Sequence, residues 1–265
     1  MITTMLEPAH DQRAEVEDVS LSRVTRVELR KMFDTRSGLW LMASIVIAAV
    51  LSTVGTILLA PDTALTYYTF AKAVGFPMTV ILPIIAVLSI TGEWSQRSGL
   101  TTFTLVPRRN RVILAKVIAS VTVGVAAMLV ALAIGVLGNV AGTAVAGTGL
   151  VWDVSVVHAA DIVLGSLLCL LTGTMLGLLF RSSAVALVAY FVYALLLPTV
   201  SDLLSSSQEG YRELRPWVDL NHAQSALFEG SLTGQQWAQL AVTATVWLVV
   251  PALVAVRLVM RSEVK

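Results

Sequence analysis

Residues 39–60 read LWLMASIVIAAVLSTVGTILLA, 22 residues without one charged side chain. At 1.5 Å per residue a helix of that length covers about 33 Å, enough to cross a hydrocarbon core of roughly 30 Å. Five further apolar blocks follow at 73–91, 113–137, 160–180, 184–200 and 237–259. None alternates apolar and polar residues at period two, as the strands of a membrane barrel do. The chain therefore reads as an all-α membrane protein with six transmembrane helices. Pro77 and Pro83 in the second block do not argue against a helix there, because neighbouring helices re-satisfy the backbone groups that a proline frees. Pro198 is expected to end or bend the fifth span.

The composition agrees. Of 265 residues, 56% are hydrophobic and only 13% charged, with a mean hydropathy of +0.81. A soluble domain carries about 25% charged residues, so this chain has too little polar surface to coat a water-soluble particle. The one cysteine, Cys169, lies in an apolar run, which excludes an intrachain disulfide and a cysteine metal site. It reads as a small buried hydrophobe. The first apolar block starts near Leu39 and has the length of a full span, so no cleavable signal peptide is expected.

Charge distribution gives the orientation. With the N-terminus inside, 15 of the 18 Lys and Arg residues fall in inner segments, leaving only Lys72, Arg212 and Arg215 outside. This bias follows the positive-inside rule and places both termini in the cytoplasm. Residues 1–19, with Glu7, Asp11, Glu15, Glu17 and Asp18, read as a disordered cytoplasmic tail. Residues 20–38 form an amphipathic connecting helix, and 39–265 the six-span domain. Projected at 100° per residue, Arg23, Arg26 and Arg30 fall within about 60° of one another, opposite Leu21, Val24, Leu29 and Met32. Such a helix is expected to lie along the inner headgroups. The outer connections are 61–72, 138–158 and 201–236. Within the last, Asp219 to Phe228 is expected to form a short interfacial helix with Leu220, Ala223, Ala226 and Leu227 on one face.

Few residues are suited to catalysis. His10, His158 and His222 are scattered, and the sequence contains no HExxH, no Gly-x-Ser-x-Gly elbow and no G-x-x-x-x-G-K-[ST] loop. No metal site, resident cofactor or nucleic-acid partner is expected. The spans hold almost no ionisable residues, which counts against a proton pump or ion-driven antiporter. Asp161, beside His158, is the exception. It reads as a carboxylate at a helix N-terminus, favoured there by the helix dipole.

The most basic inner connection runs EWSQRSGLTTFTLVPRRNR over residues 93–111. Its Arg108, Arg109 and Arg111 are placed to anchor on anionic headgroups, as are Arg23, Arg26 and Arg30. Positive-inside charge does not account for Glu93, Trp94 or the pair Thr101 and Thr102. The order Glu-aromatic, then Arg97 to Thr102, then Val106-Pro107-Arg108-Arg109-x-Arg111, with Ala115 and Lys116 beyond, resembles the inner loop of bacterial type-2 ABC exporter permeases. Glu28 to Lys31, with Thr35, Arg36, Ser37 and Trp40, is similar to that family's basic entry helix. The resemblance spans the six-helix layout and implies a multi-pass protein of the bacterial cytoplasmic membrane. It implies two permease chains, identical or sister subunits, working with cytoplasmic ABC ATPase subunits that carry the ATP and Mg. Coupling to the ATPase would run through Glu93, Trp94, Arg97, Gly99, Leu100, Thr101 and Thr102, and through the turn Arg181, Ser182 and Ser183. The implied activity is outward movement of substrate. The apolar spans suit an amphiphilic or hydrophobic one. A non-transporting membrane scaffold is the alternative, followed by a membrane enzyme, for which catalytic residues are missing.

Overall fold

The computed structural model describes residues 20–95 and 109–261. Among them are nine helices and no strand: α1 (Leu21–Asp34), α2 (Arg36–Leu59), α3 (Tyr67–Ser95), α4 (Arg109–Ala146), α5 (Val156–Phe180), α6 (Ser183–Ser207), α7 (Glu209–Val218), α8 (Leu220–Glu229) and α9 (Gly234–Arg261). A 3-10 turn, Asp62–Ala64, joins α2 to α3. Six helices are long and apolar enough to cross a membrane: α2, α3, α4, α5, α6 and α9.

α3 sits at the centre, packed on α2, α4 and α5. Its buried stripe, with Val74, Met78, Leu82 and Ile85, meets Met128 of α4 and Ile162 and Leu170 of α5. The apolar windows of α3, α4 and α5 are 50%, 44% and 56% buried, against 17%, 11% and 22% for α2, α6 and α9. The last three therefore leave most of their apolar surface for lipid or another chain. α3 and α5 approach each other backbone to backbone at Gly173. A Cβ on Gly173 would stand 2.8 Å from the Pro83 carbonyl oxygen, so only glycine lets the two backbones meet.

Prolines shape three helices. Pro83 has no N–H to offer the Thr79 carbonyl one turn earlier. The buried Tyr190 hydroxyl of α6 fills that place, donating to the Thr79 oxygen at 2.5 Å. α3 thus stays continuous through both of its prolines. Of the two outcomes expected at Pro198, an end or a bend, the end does not occur. The helix widens into a π turn over Val192–Leu196, where the Leu197 N–H reaches back five residues to the Val192 carbonyl, and then continues to Ser207. α9 does the same over Thr245–Val249 ahead of Pro251. The wide turn makes room for the ring and absorbs the missing hydrogen bond.

Other boundaries also move. α4 runs on to Ala146 rather than ending near 137, because Asn139 and Thr143 are buried and bonded: the Asn139 amide donates to the Val151 carbonyl at 3.0 Å, and the Thr143 hydroxyl to the Asn139 carbonyl at 2.7 Å. α5 begins at Val156, four residues before the apolar block, with Ser155 as N-cap. Asp161 therefore lies in the second turn and is buried. The helix dipole acts over the first turn only, so the reading of Asp161 as an N-terminal carboxylate does not hold. α8 does form where expected, at Leu220–Glu229, with Leu220, Ala223 and Leu227 buried and Asp219 as its N-cap. Gln224 joins that face, its amide donating to the Gly165 carbonyl of α5 at 2.8 Å.

Candidate coupling site

One end of the bundle gathers every described segment that the sequence marks for coupling or anchoring. There α3 ends, α4 begins, α5 turns into α6 and α9 ends. Ile90, Ile113, Leu178, Ala255 and Val259 from these elements form a cluster of their own. α7 and α8 lie at the other end.

The α5–α6 corner is tight because of Arg181. It caps α5 in the left-handed conformation (φ 53°), its N–H bonded to the Gly177 carbonyl at 3.0 Å. Glycine is the usual residue there, and a side chain in this conformation costs about 1–2 kcal/mol. Its Nε is buried and, among the described residues, has no hydrogen-bond partner. Ser182 is the N-cap of α6 without a side-chain capping bond, and Ser183 opens the helix. The Ser183 hydroxyl lies 2.7 Å from the Thr91 hydroxyl in the penultimate turn of α3. Thr91 spends its own proton on the Val87 carbonyl, so Ser183 is the donor in this pair. The end of α3 and the corner are thereby tied by a part-buried polar contact. Glu93 and Trp94 occupy the last turn of α3, one turn or less beyond that contact. Arg97, Gly99, Leu100, Thr101, Thr102 and Arg108 lie outside the described residues.

α1 seats against α4 and turns sharply into α2. A Cβ on Gly38 would fall 1.9 Å from the Met32 carbonyl oxygen, so this corner also requires glycine. Thr35 caps α2, its hydroxyl accepting from the Gly38 N–H at 3.0 Å. Arg23, Arg26 and Arg30 lie on the exposed face of α1, while Val24, Glu28 and Met32 are buried. Arg30 pairs with Asp34 at 2.8 Å on the surface. Arg109 opens α4, and Arg111 follows in the same turn.

The sequence reading missed Glu28. At four-residue spacing between Val24 and Met32 it sits in the middle of the buried stripe, and that position was a legible signal. Its carboxylate, only 4% exposed, takes Lys116 Nζ of α4 at 2.5 Å and Lys31 Nζ at 2.7 Å. Burial pushes the carboxyl up, but the Lys116 and Lys31 ammonium groups outweigh it and hold Glu28 below the ordinary carboxylate value. A buried ion pair thus fixes the connecting helix to the start of α4.

The sequence profile of the family described as ABC-2 family transporter protein matches residues 26–197. The chain belongs to this family. The match runs from α1 into the fifth span and includes Glu28, Lys116, the end of α3 and the Arg181 corner. A search of curated proteins finds no match. As an ABC-2 protein the chain is the membrane-spanning permease subunit of an ABC transporter, a multi-pass membrane protein whose family implies an ABC ATPase partner.

Proposed function

We propose that this ABC-2 permease is an exporter subunit of the bacterial cytoplasmic membrane, with both termini inside. It works as a pair of permease chains, moving an amphiphilic or hydrophobic substrate outward under power from cytoplasmic ATPase subunits. The observation that carries the coupling part is the Thr91–Ser183 contact. It makes the end of α3 and the Arg181–Ser183 corner one mechanical unit, so a push delivered at Glu93 to Thr102 reaches both α3 and α6. α6 is weakly held by its own chain, with an 11% buried window and a π turn halfway along. It is suited to be the element with two arrangements, and the loops to be the transmission. ATP and Mg belong to the partner.

Arg23, Arg26, Arg30, Arg108, Arg109 and Arg111 hold the inner end at anionic headgroups. The substrate class is supported by spans that offer few polar anchors, and the inner placement of both termini by the positive-inside bias.

The test is ATPase activity of the purified complex carrying Ser183→Ala or Thr91→Val. The complex is expected to stay assembled while substrate stimulation of ATP hydrolysis falls several-fold. Stimulation equal to the native complex in both variants would remove the contact from the coupling route.

A further inference from the structure

Beside the Glu28–Lys116 pair, α1 and α4 do not close fully on each other. Leu21, Ser22, Thr25, Arg26 and Leu29 of α1 and Ile118 of α4 line an open groove of about 460 Å³. That volume lies within the range of sites for small organic ligands. The walls are mainly hydrocarbon. Thr25 turns its hydroxyl proton back to the Leu21 carbonyl, and Ser22 is engaged with Ser20. On the α4 side the groove opens beside the apolar stripe Leu114, Ile118 and Leu129, which are 49%, 37% and 60% exposed on a helix long enough to cross a membrane.

Charge decides the occupant. Arg26 is part of the lining and Arg23 stands one turn before it, both on the exposed face. Arg30, the third arginine of that face, is taken by Asp34. Arg23 and Arg26 have no carboxylate partner among the described residues. Arg26 in the lining of an apolar groove that leads onto a lipid-facing stripe, with Arg23 one turn away, matches a molecule with an anionic head and a hydrocarbon tail. A peptide segment would leave its backbone groups unbonded against these walls, and a neutral lipid would leave the arginines without a counter-charge.

We infer that the groove between α1 and α4 is a binding site for one anionic phospholipid, its acyl chain against Leu21, Leu29 and Ile118 and its phosphate on Arg26 and Arg23. The lipid fills the gap next to the ion pair that seats α1, so membrane composition sets how firmly the connecting helix is held. The inference rests on α1 lying at headgroup depth, which belongs to the reading above, and is independent of the ATPase assignment.

The test is native mass spectrometry of the full chain in mild detergent, with phosphatidylglycerol or phosphatidylcholine of equal chain length added. The native chain is expected to retain one phosphatidylglycerol and to prefer it at least tenfold. Each basic residue near an anionic head contributes about fivefold, so Arg26→Gln should cut the preference about fivefold. Ile118→Trp, which fills the groove, should lower retention of both lipids. Equal retention of the two lipids, a preference untouched by Arg26→Gln, or a co-purifying polypeptide in place of lipid would each overturn the site. A nitroxide at the exposed Val27 separates the two levels of the reading. Headgroup depth without lipid preference removes the groove alone, whereas a label in bulk water removes the anchoring as well.

Discussion

Replacing Glu28 by Gln removes a carboxylate that lies directly against the buried Lys116 ammonium. Lys116 is 5% exposed and cannot swing into water, so solvent does not screen the loss. Breaking one side of such a pair costs about 3–5 kcal/mol, because the other charge stays buried and loses this partner. The reverse change is milder. In Lys116→Met, Glu28 keeps Lys31, whose side chain is 48% exposed, and the cost should be about 1–3 kcal/mol, that of one charged hydrogen bond. Glu28→Met with Lys116→Met removes both buried charges and lets Lys31 turn to water, so the double variant should lie within about 1 kcal/mol of the native chain. The assay is thermal unfolding of the detergent-purified protein. At roughly 2–4 °C per kcal/mol for a chain of this size, Glu28→Gln should melt at least about 6 °C lower, with most of that recovered in the double variant. A melting point for Glu28→Gln within 1 °C of native, or strictly additive single effects, would refute the claim that this pair seats α1.

Other outcomes follow from particular contacts. Tyr190→Phe should destabilise by about 1–3 kcal/mol, since it leaves the Thr79 carbonyl buried without a donor; in a Pro83→Ala background, which restores the N–H, most of that cost should vanish in the same unfolding assay. Arg181→Gly should relieve the left-handed backbone and raise stability by about 1 kcal/mol while lowering substrate-stimulated ATPase activity of the complex, a pairing that a purely structural residue would not give. Glu28 also predicts a pH response. Its folded value lies below the unfolded carboxylate value of about 4.3, so its contribution is complete above that pH and is lost as pH falls through the lower folded value. Melting curves between pH 7 and pH 3 should therefore fall more steeply for the native chain than for the Glu28→Met and Lys116→Met double variant.

The six spans were legible because uninterrupted apolar length is the strongest signal a membrane helix gives. Their ends were not. Lys72 interrupts the apolar run that would have carried the second span back to Tyr67, yet the helix holds it with its ammonium 5.7 Å from the Tyr68 ring centre. Asn139 and Thr143 look like loop residues until their bonds are known, Asn139 reaching ahead to the Val151 carbonyl and Thr143 back to the Asn139 carbonyl. Local rules penalise proline in a helix and so lead to an end or a bend at Pro198, whereas a five-residue π turn just ahead of it lets the helix run on. At the coupling end, the break between two apolar blocks marks Arg181 to Ser183 as a connection, and only the family resemblance implies their coupling role. Their tie to Thr91, 92 residues away, was not legible, since a Thr–Ser contact between distant helices leaves no mark on sequence spacing. Glu28 is visible as a charge within an apolar stripe, but nothing in the sequence pairs it with Lys116, 88 residues on.

The ATPase is expected to dock on the end of the bundle where α3 stops and α5 turns into α6. The most direct measurement is site-specific photo-crosslinking from Glu93 and Ser182 in native membranes, with the adducts identified by mass spectrometry. The predicted result is one nucleotide-binding ATPase subunit captured from both positions and not from Arg212 at the opposite end. Capture of that subunit from Arg212 alone, or of no ATPase from either inner position while the complex remains intact, would contradict it.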